Sequence, residues 1–224
     1  MTLPFPLILG SASPRRKKIM DALGYPFTVV VPDAQEIHDP ADPVRTVVAN
    51  AASKYRACRA DHPAAAIITA DTLVWFDGRL IGKPSGLDEA ARFLRAFSGR
   101  TQIVYTGIAL GLPARRDPDI RVEASSVTFR TLSEEAIQAY LRKTNPIDRA
   151  GAYDIDESGD LLVAAYSGSR TNIMGLPRGA VRDWIASWRG EHPHGMLLKG
   201  HEKKHKAESP GEYPISNREY PMSK

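Results

Sequence analysis

Residues Leu7-Ile8-Leu9 run into Gly10-Ser11-Ala12-Ser13-Pro14 and then into four consecutive cations, Arg15, Arg16, Lys17 and Lys18. A short apolar strand that empties into small hydroxylated residues and a basic turn has the parts of an anion-binding site. Ser13 is a good N-cap and Pro14 a good first helical residue, so the spacing predicts a helix that opens there and runs over Ile19, Met20 and Leu23 to a stop at Gly24. All four cations then fall in the first turn. The helix dipole favours anions at that end, and a bound phosphate chain among the cations would resolve the conflict. Arg16 precedes Ile19, Met20 and Leu23 by three, four and seven residues, which aligns it with the apolar face and points it inward. The competing reading is a solvated basic turn with no ligand.

A second chemical feature interrupts the long apolar stretch 64–76, where Asp71 and Thr72 stand among Ala, Ile, Leu and Val. A carboxylate inside a buried strand loses hydration and needs a cation, a metal or hydrogen bonds in return. The structural alternative is that Asp71 caps a neighbouring loop. Asp77-Gly78 is a two-residue hairpin signal leading to a return strand at 79–81. Counting outward from that turn, Phe76 faces Arg79 and Thr72 faces Lys83. Lys83 therefore arrives one residue from Asp71, provided Gly82 and Pro84 release it from the ladder. A phosphate cradle, a buried acid and a nearby lysine are what water attack on a nucleotide phosphorus requires. Asp71 would take the proton of water or hold Mg²⁺, with Glu36 as a second oxygen ligand. Neither a Walker A sequence nor a G-x-G-x-x-G fingerprint is present.

The elements that must position these groups alternate between the two periodicities. Strand character is expected at 26–31, a polar Asp- and Pro-rich loop holding Glu36 at 32–43, and a helix from Asp42 or Pro43 to about Ala60. A short amphipathic helix follows at 88–97, then strands at 101–111 and 120–130, and a helix from Ser133 to about Lys143 that Asn145-Pro146 breaks. A strand at 161–166, a turn at 172–175 and a helix over 177–188 complete the body. From Gly190 the composition turns to Lys, His, Glu, Pro and Gly. The expected organisation is one domain over 1–190 and a charged, mobile tail over 191–224. His192, His194, His201 and His205 lie in that tail, where adventitious metal binding is the simplest reading.

The chain has 224 residues, of which 42% are hydrophobic and 25% charged, enough for a sizeable core. Its net charge of +4 is too thin for a nucleic-acid stripe, so no nucleic-acid partner is expected. No segment is long enough to span a membrane, and the N-terminal run does not resemble a signal peptide. The single Cys58 excludes an internal disulfide framework and fits a reducing cytosol.

Taken in order, Ser11-Ala12-Ser13-Pro14-Arg15-Arg16, Ala70-Asp71-Thr72, Gly82-Lys83-Pro84, Tyr105-Thr106-Gly107 and Ala150-Gly151-Ala152-Tyr153 resemble the Maf family of nucleoside triphosphate pyrophosphatases over roughly residues 5–188. The resemblance implies a two-lobed α/β fold with a mixed, elongated sheet flanked by helices, a nucleotide cleft between the lobes, a homodimer, and metal-dependent release of pyrophosphate with Mg²⁺ or Mn²⁺. It implies that Asp71 is the general base and that Arg15, Thr72 and Asp156 occupy positions tied to substrate choice. By the same resemblance Ser11, Arg16, Glu36, Lys54 and Lys83 line the cleft. The departure is Tyr153-Asp154-Ile155-Asp156, where the branch that prefers dTTP and UTP typically reads Tyr-Gly-Ile-Gln. An amide both donates and accepts, whereas an ionised acid only accepts, so Asp156 leaves the base open and Asp156→Gln is expected to move preference toward dTTP and UTP. The alternative is a nucleotide-binding regulator linked to septum formation, with the same cleft and no significant turnover.

Overall fold

A computed structural model describes residues 2–188; the expected tail and its histidines lie outside the described residues. The chain opens with β1 (Leu7–Gly10), α1 (Pro14–Asp21), β2 (Thr28–Val30) and α2 (Pro43–Asp61). It continues through the hairpin β3 (Ala66–Phe76) and β4 (Arg79–Ile81), then α3 (Leu87–Phe97), β5 (Thr101–Gly111) and β6 (Asp119–Phe129). Helix α4 (Glu134–Lys143), β7 (Val163–Ser167), α5 (Arg170–Ile173) and α6 (Arg178–Ser187) close the described chain. Local signals set most of these boundaries. Ser13, Asp42 and Ser133 cap α1, α2 and α4 through their side chains, and Asp77 and Gly78 both take left-handed φ, at 54° and 73°, to close the hairpin.

Seven strands form one mixed sheet in the order β2-β1-β3-β5-β6-β7, with β4 on the far end of β3. The β1 pairings to β2 and β3 are parallel and the remainder antiparallel. Period-two alternation divides the apolar residues between its faces. Leu9, Ile68, Ala70, Ile108 and Leu110 join the larger cluster with α1, α3, α4 and α6, while Ile8, Ile67 and Ala109 pack with Ala51, Tyr55 and Cys58 of α2. Strands covered on both faces read as nearly continuous apolar runs, which is why β1 and β3 are conspicuous in the sequence. Gly107 allows the close approach of α2 to β5, since a Cβ there would lie 2.5 Å from the Val47 carbonyl oxygen. The expected α/β class with a mixed, helix-flanked sheet is what the structure shows. No helix among the described residues is long and apolar enough to cross a membrane.

Candidate active site

The pairing of β3 leaves a gap along one edge. Strand β1 accompanies it only as far as Gly10 opposite Thr69, and β4 pairs with it only from Val74, opposite Ile81, onward. Between them, residues 70–73 have a strand neighbour on the β5 side alone. Asp71 and Thr72 occupy that gap beyond the carboxyl end of β1, the position where open sheets with parallel strands receive ligands. A cleft of about 690 Å³ opens there, lined by residues that include Ser11, Arg15, Arg16, Glu36, Lys54, Asp71, Thr72, Lys83 and Asp154. Successive residues of a strand point to opposite faces, so Asp71 meets α2 and Thr72 meets α1.

On the α1 side, Arg16 points inward as the helical spacing predicts. Its Nε donates to the Gly175 carbonyl at 2.8 Å, Nη1 to Ser11 Oγ at 3.2 Å and Nη2 to Thr72 Oγ1 at 3.1 Å. All three acceptors are neutral, and among the described residues Arg16 forms no ion pair. Burial pulls its guanidinium below the ordinary arginine range, against the attraction of nearby Asp71. Ser11 is buried and its hydroxyl oxygen also accepts from the Ser13 amide at 3.1 Å, which leaves its proton to donate. A fixed, desolvated cation beside a hydroxyl donor and a helix N-terminus is a receptor for an anion.

On the α2 side, the Lys54 ammonium lies 2.7 Å from Asp71 Oδ1 and 2.7 Å from Glu36 Oε1. Side-chain exposure is 13% for Lys54 and 14% for Asp71, against 56% for Glu36. The pair is therefore screened on the protein side while Glu36 reaches in from the loop. Asn50, one helical turn before Lys54, donates to Asp71 Oδ2 at 3.1 Å and holds both the amide and the carbonyl of Ile37, which anchors the loop carrying Glu36. Two carboxylates thus converge on one ammonium. Hard oxygen donors suit Mg²⁺ or Mn²⁺, but among the described residues no group of three His, Cys, Asp or Glu side chains comes together. The donor set fits an ion whose remaining ligands are phosphate oxygens and water rather than an ion caged by protein.

Several expected placements are corrected. Strand β4 ends at Ile81, so Phe76 pairs with Arg79 as counted but the register never reaches a Thr72 to Lys83 pair. Gly82 and Pro84 do release Lys83, and its ammonium turns to Asp148 at 2.7 Å, on the cleft wall. The lysine beside Asp71 is Lys54. The four cations of α1 also part company. Arg15 and Arg16 line the cleft, whereas Lys17 pairs with Asp21 at 2.8 Å and Lys18 with Asp156 at 3.1 Å. Asp156 is held on its other oxygen by Arg170 at 2.8 Å and is absent from the cleft lining. Asp154 lines the cleft instead, 7% exposed, with Oδ2 3.8 Å from Arg15 Nη1 and 3.6 Å from Arg149 Nε.

Sequence reasoning passed over Asn50 and Asp148, and met Asp154 only as part of the departing run 153–156, without giving it a role in the site. A polar residue on the apolar face of α2, four before Lys54, is a signal that was available for Asn50. Asp148 and Asp154 lie in the irregular segment between α4 and β7, where no periodicity assigns a face.

Residues 6–188 match the family described as Maf-like protein. Among curated relatives, the dTTP/UTP pyrophosphatase of Moorella thermoacetica is 41% identical over 181 residues, covering 80% of this chain and 93% of that protein. The dTTP/UTP pyrophosphatase of Deinococcus radiodurans is 42% identical over 171 residues, 76% of this chain and 87% of that protein. That of Akkermansia muciniphila is 37% identical over 187 residues, 83% and 96% of the two chains. With its glycine-flanked cleft, its inward arginine and its paired carboxylates set in one sheet over this whole length, the chain belongs to the Maf family.

Proposed function

We propose that this protein is a nucleoside triphosphate pyrophosphatase, which cleaves its substrate to the monophosphate and pyrophosphate by water attack at the α-phosphorus. The observation that carries the reading is Arg16, a part-buried cation fixed by three neutral oxygens and facing the same cleft as the Lys54-bridged Asp71 and Glu36. A guanidinium without a carboxylate partner is costly to desolvate, even in part, unless an anion completes it. Arg16, the Ser11 hydroxyl and Lys54 would neutralise charge on the phosphates and hold them in line with the attacking water. Asp71 is oriented by Lys54 and Asn50 and can still accept the proton of that water, because each of its oxygens accepts more than one hydrogen bond. Asp71 and Glu36 are the residues that would hold Mg²⁺ or Mn²⁺, which when bound supplies further positive charge to the phosphates.

The names of the relatives make dTTP and UTP the first substrates to try. We place the protein in the cytosol, on the support of a single buried thiol at Cys58, and as a homodimer, on the support of the family resemblance alone. The test is product analysis by chromatography over a panel of nucleoside triphosphates with Mg²⁺ or Mn²⁺, beside the Asp71→Asn variant. The expected products are monophosphate and pyrophosphate, with kcat reduced by about 10²–10⁴ in Asp71→Asn and the fold retained. Orthophosphate release would move the attack to the terminal phosphorus. Tight nucleotide binding without product would replace the enzyme by a binding regulator.

A further inference from the structure

The Arg16 side chain is fixed from a distance. Its Nη2 rests on Thr72 Oγ1, and Thr72 Oγ1 lies 2.9 Å from Oγ1 of Thr106, its partner across the β3/β5 ladder. Thr106 is fully buried, is not itself part of the cleft lining, and reaches the Asn172 carbonyl at 3.1 Å. A hydroxyl has one proton to give, so the order of donation along this row can be worked out. If Thr106 donates to the Asn172 carbonyl, which cannot donate back, the contact between the threonines must be donated by Thr72. The other order, Thr106 to Thr72 to the Gly175 carbonyl, replaces the 3.1 Å bond by one of 3.3 Å. In both orders the proton of Thr72 is spent on a protein oxygen and a lone pair is left for Arg16.

The second support of Arg16 is set by the same row. Asn172, also fully buried, donates to the Val104 carbonyl at 3.1 Å and to Ser125 Oγ at 2.9 Å, and Ser125 Oγ donates to the Ser169 carbonyl at 3.2 Å. These bonds pin the segment from Ser169 to Gly175 onto β5 and β6, so that the Gly175 carbonyl stands under Arg16 Nε. We propose that Thr106 is a positioning residue for Arg16, acting through the Thr72 hydroxyl and the Asn172 segment. It leaves two of the five guanidinium N–H groups aimed at an anion and fixes the direction in which they point. Thr72 then serves the cleft as a fixed acceptor for Arg16, and its hydroxyl is not available to donate to a substrate. The proposal rests on the anion-binding reading of Arg16.

Two measurements on the full chain test it. The first needs no ligand: solvent exchange of the Arg16 Nε–H followed by NMR with ¹⁵N-labelled arginine. The second is calorimetric binding of inorganic pyrophosphate. Thr106→Val, which keeps shape and removes the hydroxyl, is expected to speed that exchange and to weaken pyrophosphate binding, each by about tenfold, while Thr106→Ser stays within about twofold of wild type in both. In an Arg16→Ala background, Thr106→Val should cost no further pyrophosphate affinity, because the residue through which it acts is gone. Equal losses in both backgrounds, or an Arg16 signal unchanged by Thr106→Val, would overturn the proposal. Thr106→Ala removes the same hydroxyl and takes the place of the valine variant if that one does not fold. A wild-type protein that binds no pyrophosphate would count against the functional reading, and the Arg16 exchange rate would still decide the role of Thr106.

Discussion

The carboxylate of Asp154 is nearly buried yet forms part of the cleft wall, where it is the anion nearest to Arg15. Its other oxygen accepts from the Asp156 amide at 2.8 Å, which fixes the carboxylate in place. Neutralising it would free Arg15 to follow a substrate, since the attraction that draws the guanidinium aside falls with the charge. Asp154→Asn is therefore expected to change the ranking of nucleotides by kcat/KM by about tenfold for at least one base, a difference of the size of one charged hydrogen bond. Asp156→Gln acts on a side chain held between Lys18 and Arg170 outside the cleft lining, and should leave the ranking within about twofold. Kinetics on a panel of triphosphates check both, and a shift toward dTTP and UTP in Asp156→Gln alone would restore the sequence-based expectation. Asp71 and Arg16 were legible because a charge on an apolar face is conspicuous in one dimension. Lys54 emerged from family resemblance rather than from its own pattern, and Lys83 was brought too near Asp71, because both depend on which elements dock and where a ladder stops.

Helix α3 meets α4 through a pair that illustrates what an element-scale contact contributes. Arg95 at the end of α3 grips Glu134 in the first turn of α4 with two hydrogen bonds, at 2.8 and 2.7 Å, and Gln138 adds a third at 2.9 Å. Arg95 first, then Gln138, lowers the Glu134 carboxyl from 4.5 to about 2. Because the folded value is the lower one, the stability this pair contributes is fully present above pH 4.5 and is lost as the pH falls from there to about 2. Both side chains are half exposed, so the effect is small. Glu134→Gln is expected to lower Tm at neutral pH by about 1–3 °C, and the gap to wild type should close across that acid window. A gap that stays constant with pH would show that the pair contributes nothing through its charge. At this scale the sequence was informative wherever a signal is local. Caps and turn residues placed α1, α2, α4 and the Asp77-Gly78 hairpin, and α3, β5 and β6 began or ended within a residue or two of expectation. The strand expected from Leu161 begins at Val163 after a short 3-10 turn, and the turn expected at 172–175 starts as the four-residue helix α5. Segments that short carry too few residues for a period to be counted.

The site exists only at the scale of the whole molecule. Arg16, Lys54, Asp71 and Gly175 come from four separate stretches of chain, and the gap at residues 70–73 arises because β1 and β4 share one edge of β3 without meeting. Long-range parallel pairing and strand length set that gap, and neither is written in local composition, so the cleft was expected by resemblance rather than by pattern. One consequence concerns stability. A polyphosphate that contacts α1 through Arg16 and α2 through Lys54 joins elements on opposite faces of the sheet, and any ligand that binds only the folded chain raises its melting temperature by mass action. At about a hundredfold over Kd the gain is about 2.7 kcal/mol, which for a chain of this size corresponds to about 5–10 °C in Tm. Inorganic pyrophosphate with Mg²⁺ is the probe, and differential scanning fluorimetry reads the shift. The shift should grow with the logarithm of pyrophosphate concentration and largely vanish in Arg16→Ala. That variant removes a part-buried cation that has no carboxylate partner and should itself melt no lower than wild type by more than a few degrees. A stabilisation that survives intact in Arg16→Ala would place the anion elsewhere on this basic chain, and with it the chemistry assigned to the gap in β3.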